Sequence, residues 1–354
     1  MIKEYLKVWN ARKWMKQTEP FLQTWHAHLG YSLNLFQHFK KKTTVEQVAR
    51  KHQLDEVLLN RWVEVGLAVG HLAKKRGNKI KTERKMITYL TKESKQSVGI
   101  LLEEMFELHI PTLMSYRDLI QKDDKEKVPG MADMVAETSS LLETLTLPKV
   151  ASVLKKHRIT SVLDVGCGYG GYLKKLADKF PKVQFDGIEV DQEVCTRAVE
   201  SNHFQNVKIE QGDFYEIQPQ KPYQAVMLNN ILYYFSATER LAMIKRASAV
   251  MKKNGVLILI SPLANGKHGK RFASAFNSFM SAHEDMHPLP SKKEIVRFCK
   301  QAGLELQSEK PVVREGVGIC LRFRRKGSKS FYTFPKFVWN DKIIFLPICF
   351  NPSQ

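Results

Sequence analysis

The chain has no run approaching the ~20 apolar residues of a membrane span. Its start, Met1-Ile-Lys-Glu-Tyr5, lacks the apolar core of a signal peptide, so a cytoplasmic protein is expected. Cysteine is scarce. Five in 354 residues, odd in number and without CxxC spacing, argue against both a disulfide framework and a zinc site, and no metal is expected. Acidic residues are outnumbered, 36 Asp and Glu against 56 Lys and Arg, for a net charge of +20. A surplus of that size raises nucleic acid as a partner. The cations, however, are mostly lysines spread along the chain, so diffuse surface charge is the preferred reading and nucleic acid stays open as a second. The densest patches are residues 40–42, residues 74–81 and Arg322 to Lys329. No internal repeat is present, and the length predicts two domains with full cores.

Against this background one stretch carries most of the information: Ser161-Val-Leu-Asp-Val-Gly-Cys-Gly-Tyr-Gly-Gly171. Val162, Leu163 and Val165 read as a strand covered on both faces. Gly166, Gly168 and Gly170 follow at every second position, where missing side chains let the backbone approach a ligand. Tyr172 to Phe180 then reads as a helix. Gly166, Gly168 and Gly171 also satisfy a GxGxxG dinucleotide pattern, so the run alone leaves NAD and adenosyl cofactors both open. A second strand, Val183 to Val190, ends in Glu189, 23 residues beyond Gly166, where a carboxylate can accept from both ribose hydroxyls of either ligand. Asp191, followed by Glu193 and Val194, reads as the N-cap of the next helix. A third strand, Val207 to Glu210, runs into Gly212-Asp213-Phe214, where an acid and an aromatic can hold an adenine amino group and stack on the ring.

That last feature resembles the class I S-adenosylmethionine methyltransferases, and Asp164, two residues before the first glycine, points the same way. In that family an acidic residue at this place sits near the methionine moiety. Ala225 to Leu232 fits the family's fourth strand, with Asn229 and Asn230 opening onto the cofactor, and Gly255 to Ser261 fits its fifth. The absence of proline and aromatic after Asn229 argues against the Asn-Pro-Pro-Tyr loop of enzymes that methylate nucleobase amino groups. Leu304 to Val313 and Gly316 to Phe323 read as the final antiparallel pair. The resemblance implies S-adenosylmethionine as cofactor, held by Asp164, Gly166, Gly168, Gly170, Glu189, Asp213, Phe214 and Asn229. It also implies an α/β fold: a Rossmann-like, mostly parallel, doubly wound sheet ending in an antiparallel strand.

The first 150 residues lack strand alternation. Thr43-Thr44 caps Val45 to Lys51, and Asp55 opens a helix from Glu56 to Gly66. A glycine-containing stretch from Gly70 to Lys81 and the β-prone Met86 to Leu90 complete a winged-helix-like reading. The order winged helix, helical linker, methyltransferase core resembles small-molecule O-methyltransferases, whose N-terminal module dimerises, and a homodimer is expected on that ground. The expected division is 1–95 for the winged-helix-like domain and 96–150 for linker helices, which include Ser94 to Ile120 and a helix Met131 to Leu145 ending before Pro148. The catalytic domain follows at 151–326 and an aromatic tail at 327–354, for which ordinary packing against the core is preferred over a lid, a dimer contact or a membrane contact.

Methyl transfer is an in-line displacement, so the protein mainly aligns the nucleophile, excludes water and, for a hydroxyl, removes a proton. The run Phe279-Met-Ser-Ala-His283, 20 residues before Gly303, is similar to the catalytic-histidine segment of plant-type O-methyltransferases, which makes His283 the matching general base. The glycine pair and Glu-Arg-Thr run of that family are replaced here by Met286 to Ser291, and Glu284 or Asp285 is a candidate orienting acid. A polar residue at a helix end is the other reading of His283, and His287, next to Pro288, reads as part of a turn. The expected reaction is O-methylation of a small, secondary-metabolite-like molecule. The alternatives are N- or C-methylation by proximity, a nucleic-acid or protein methyltransferase docking through the basic N-terminal domain, a DNA-binding regulator that keeps the cofactor fold as a sensor, and an NAD oxidoreductase.

Overall fold

A computed structural model describes residues 2–122, 125, 132–219, 221–264, 270–284, 286–312 and 319–325. The aromatic tail and Asp285 lie outside the described residues. The chain separates into two compact units, residues 1–111 and 112–354.

Unit 1 opens with the long helix α1 (Ile2–Ser32), followed by α2 (Leu35–His38), α3 (Val45–His52) and α4 (Glu56–Ala68). Thr44 closes a capping box with Gln47 at the start of α3, and the Asp55 carboxylate accepts from Leu58 N at 2.8 Å at the start of α4. A hairpin of β1 (Leu72–Lys75) and β2 (Lys79–Thr82) follows, and Thr43 adds a short antiparallel rung to Ile80. Phe36, Phe39, Leu59, Trp62 and Val63 form its core. Met86 to Leu90, expected to favour a strand, falls instead in helix α5 (Arg84–Tyr89) and its C-cap. Thr88 and Thr91 donate their hydroxyls back to Arg84 O and Ile87 O, and burial of Leu90 overrides the β preference of the run. Helix α6 (Ile100–Glu104), a π-helical turn (Met105–His109) and α7 (Ile110–Met114) come next, the unit boundary falling inside α7.

Unit 2 continues with α8 (Tyr116–Lys122) and α9 (Ala132–His157). The expected helix end before Pro148 is not found: α9 runs through the proline to His157. Thr146 Oγ1 donates to Glu143 O and Lys149 Nζ to Leu145 O, so side chains serve carbonyls around the break that proline makes in the ladder. Then come β3 (Ser161–Val165), α10 (Gly171–Lys179), β4 (Gln184–Glu189), α11 (Gln192–Glu200), β5 (Val207–Gln211), β6 (Tyr223–Asn229), α12 (Ala237–Ala249) and β7 (Met251–Ser261). The last elements are α13 (Lys270–Ser281), α14 (Lys292–Gln301), β8 (Leu304–Pro311) and β9 (Ile319–Arg325).

The seven strands lie in the order β5-β4-β3-β6-β7-β9-β8, all parallel except β9, which runs against both its neighbours. Register is fixed by alternation. Phe185 is fully buried opposite Val162 while Asp186 beside it is not, and a one-residue slip would exchange a side chain whose burial contributes about 1.5–3 kcal/mol for a carboxylate. The chain leaves β3 towards β4 and later returns to β6 on the other side, so the crevice of this sheet opens at the C-terminal ends of β3 and β6. Val165 and Asn229 are the strand residues that meet it.

Candidate functional site

The loop after β3 folds back on itself. Gly166, Gly168 and Gly170 all adopt positive φ (66°, 54° and 71°), a region that costs a side-chain-bearing residue roughly 1–2 kcal/mol. The hydrogen bonds of the turn are internal. Gly166 N and Cys167 N donate to Ile188 O, Gly170 N donates to Cys167 O, and Gly168 N donates to Glu189 Oε2 at 2.8 Å. The other carboxylate oxygen of Glu189 accepts from Asp191 N at 3.1 Å. Asp191 in turn caps α11 by accepting from Val194 N at 3.0 Å. Most of the loop's donors are therefore spent within the protein, and what remains towards the crevice is carboxylate.

Three carboxylates gather there. Asp164 is 1 % exposed, and burial, the nearby Glu143 and Glu189 push its carboxyl well above the usual range, against the Asn229 amide that donates to it at 3.1 Å. Burial likewise raises Glu189, against the backbone N–H groups of Asp191 and Gly168. The third, Glu143 on α9, is the functional candidate that sequence reasoning missed: nothing local distinguishes it. Its oxygens stand where a Cβ on Gly171 would go, so a larger residue at this start of α10 would push the carboxylate aside. Lys175 pairs with it at 2.8 Å, yet burial still raises its pKa. Asn229 supplies a further sign of a ligand. It is 8 % exposed, and its Oδ1 is buried with no hydrogen-bond partner among the described residues.

Asp213 and Phe214 follow β5, joined to the site because Gly212 N donates to Glu189 O. Asp213 is exposed and accepts from Tyr215 N at 2.8 Å. Phe214 is 4 % exposed, with the Arg246 guanidinium 5.7 Å from its ring centre. The structure thus brings Asp164, Gly166, Gly168, Gly170, Glu189 and Asn229 together at one crevice with Asp213 and Phe214 at its end.

His283 lies just past α13, 5 % exposed, its Nδ1 2.9 Å from Phe279 O. A ring nitrogen facing a carbonyl oxygen carries the proton, so the lone pair sits on Nε2. The segment packs on the turn that follows β6 and its terminal Asn229. His287 N donates to Tyr233 O in the turn Leu232–Tyr234 that follows β6, and Phe276 of α13 meets the Tyr233 ring edge-on at 5.7 Å. Glu284 is exposed. Among the described residues no group of three or more His, Cys, Asp or Glu could hold a metal, and no helix is long and apolar enough to cross a membrane.

Comparison with known proteins agrees with the fold. A family profile described as "Methyltransferase domain" matches residues 162–255. The 3-amino-4-hydroxybenzoate 4-O-methyltransferase of Streptomyces cremeus is 28% identical over 139 residues, so the match spans 38% of this chain and 38% of that relative. Among solved structures, an O-methyltransferase family protein from Burkholderia thailandensis superposes with a TM-score of 0.75 at 17% identity, over 90% of this chain and 99% of the other. Human N-acetylserotonin methyltransferase, solved with S-adenosylmethionine, gives 0.74 at 14% identity, over 90% and 98%. The sheet order is that of the Rossmann-like methyltransferase fold these structures share, and within it residues 162–255 match a methyltransferase domain.

Proposed function

We propose that the chain is an S-adenosylmethionine-dependent methyltransferase that acts on a hydroxyl of a small, partly apolar molecule. The observation that carries the reading is the Glu143 carboxylate seated against Gly171 at the start of α10. A dinucleotide would place its pyrophosphate on free N–H groups at that helix end. Here the turn's donors are largely used internally and the groups next to them are carboxylates, Glu143 with its Lys175 partner together with Asp164 and Glu189, an arrangement that disfavours a phosphate and suits a cation. The cofactor, when bound, supplies an electrophilic methyl group on a cationic sulfonium, and its ammonium is a second cation. Asp164 and the orphan Oδ1 of Asn229 are suited to the ammonium, Glu189 to the ribose hydroxyls, Asp213 to the adenine amino group, and Phe214 to the ring.

His283 is the proposed general base. With Nδ1 held by Phe279 O, Nε2 is the nitrogen able to take the acceptor's proton. The Streptomyces relative, which acts on an aromatic hydroxyl, supports a phenolic acceptor of that kind. We further infer a cytoplasmic homodimer with the domain division 1–95, 96–150, 151–326 and 327–354. The exposed Trp9, Trp14 and Met15 of α1, at 56%, 71% and 69%, support a partner surface on the N-terminal part.

The experiment is calorimetry of the full chain with S-adenosylhomocysteine and with NADH, followed by labelled-methyl transfer to a panel of aminophenols and hydroxybenzoates that includes 3-amino-4-hydroxybenzoate. Binding of the homocysteine product and transfer to a phenolic oxygen are expected. Tighter binding of NADH would overturn the cofactor reading.

A further inference from the structure

Arg240 of α12 is 4 % exposed, an unusual place for a guanidinium. Its three nitrogens go to three different parts of the chain. Nε donates to Leu232 O at 2.7 Å in the turn after β6, Nη1 pairs with Glu294 Oε1 at 3.1 Å in the first turn of α14, and Nη2 donates to Pro288 O. Leu232 stands three residues after Asn229, and Pro288 five after His283. One more bond closes the same seam, His287 N to Tyr233 O at 3.0 Å, and Leu289 N to Asn277 Oδ1 at 2.7 Å ties the His283 segment back to α13.

A buried ion pair is weak evidence of stabilisation, because well-packed apolar residues of similar volume often serve as well. What apolar residues cannot do is hold two carbonyls at fixed directions, and a lysine, with one point of charge, cannot span three elements either. We propose that Arg240 is a positioning residue for methyl transfer, stapling the strand end that carries Asn229 to the segment that carries His283. The proposal rests on the methyltransferase reading. It assigns Arg240 no contact with substrate. Its effect passes through the placement of the base, where a displacement of about 1 Å can cost roughly a hundredfold in rate.

The test uses Arg240→Met with Glu294→Met, which removes both charges and keeps volume, beside Arg240→Lys. In the double variant S-adenosylhomocysteine affinity should stay near native and the thermal midpoint should fall modestly for the two unmet carbonyls, while kcat for the acceptor found in the panel falls about 10- to 100-fold with a smaller change in KM. The pH profile of kcat should also change shape, which a purely structural loss would not produce. Amide exchange at His287 and Leu289, measured without any acceptor, should rise by about tenfold or more. If native protein binds no S-adenosylhomocysteine and transfers no methyl to the panel but exchange rises in this way, the methyltransferase reading fails and the staple stands. If the folded double variant exchanges like native and keeps kcat within about threefold, the positioning role is overturned. Should the double variant not fold, Arg240→Lys decides by the same kcat and exchange measurements.

Discussion

Glu189→Gln is the sharpest probe of the cofactor crevice, because the structure fixes what each carboxylate oxygen does. Oε2 accepts from Gly168 N and Oε1 from Asp191 N, in a residue only 2 % exposed. An amide has one acceptor oxygen. Whichever way Gln turns, its NH2 faces a backbone N–H, donor against donor, and leaving a buried donor unmet costs about 1–3 kcal/mol. Charge-assisted bonds to the ribose, about 1.5–3 kcal/mol, are weakened at the same time. S-adenosylhomocysteine should therefore bind about 10- to 100-fold more weakly, a tenfold step being about 1.4 kcal/mol. Fold stability should fall by up to the cost of the unmet donor, offset in part because loss of the charge relieves the repulsion that helps raise Asp164. Calorimetry on native protein and variant, with circular dichroism as the folding control, gives the answer. Native affinity for the cationic cofactor should also rise with pH: burial raises both Asp164 and Glu189, the ionised forms are the ones a cation favours, and binding releases protons into the buffer. Unchanged affinity in a folded Gln variant would refute the assignment of Glu189.

How much of this was legible in the chain depended on how local each signal was. Strand, glycine turn and helix between Ser161 and Lys179 are set by neighbours a few residues apart, and the strands after them alternate or run apolar in ways a sequence displays. The caps at Thr44, Asp55 and Asp191 are equally local. Glu143 was not legible, since its meaning comes from Gly171, 28 residues on, and a glutamate on a helix surface looks the same whether solvated or seated on a cofactor loop. Arg240 was hidden for the same reason: its three partners lie 8 to 54 residues away. The helix through Pro148 and the helix at Arg84–Tyr89 were misread because side chains elsewhere satisfied or overrode a local preference. The donors of the glycine loop could not be assigned either. A GxG spacing leaves room for a ligand but does not reveal that Ile188 O and Glu189 already take those N–H groups.

Three further outcomes are expected. His283→Ala should lower turnover by about 10²–10⁴-fold while S-adenosylhomocysteine affinity stays native, and near-native turnover would point to transfer by proximity alone. Sedimentation of the full chain should give twice the chain mass, and a monomer at micromolar concentration would remove the homodimer. The last concerns acid. His26 is fully buried in unit 1, stacked on Trp62 with ring centres 4.2 Å apart, and its Nδ1 lies 2.9 Å from His71 Nδ1. Its Nε2 is buried and has no hydrogen-bond partner among the described residues, so the proton belongs on Nδ1, and an imidazolium would strand a second N–H. Burial, then His71, pushes its pKa down to about 3. Unfolded histidine titrates near 6.5, so between those values the unfolded state binds more protons. The stability this residue gives is complete above about pH 6.5 and is lost as pH falls, by about 2 kcal/mol at pH 5. Denaturant unfolding followed by tryptophan emission reports this unit, because Trp9, Trp14, Trp25 and Trp62 are four of the five tryptophans in the chain. His26→Phe keeps a ring on Trp62 without the titration, so its loss of stability between pH 7.5 and pH 5 should be smaller than native by about that 2 kcal/mol. An equal loss in variant and native would mean that His26 does not couple protons to folding.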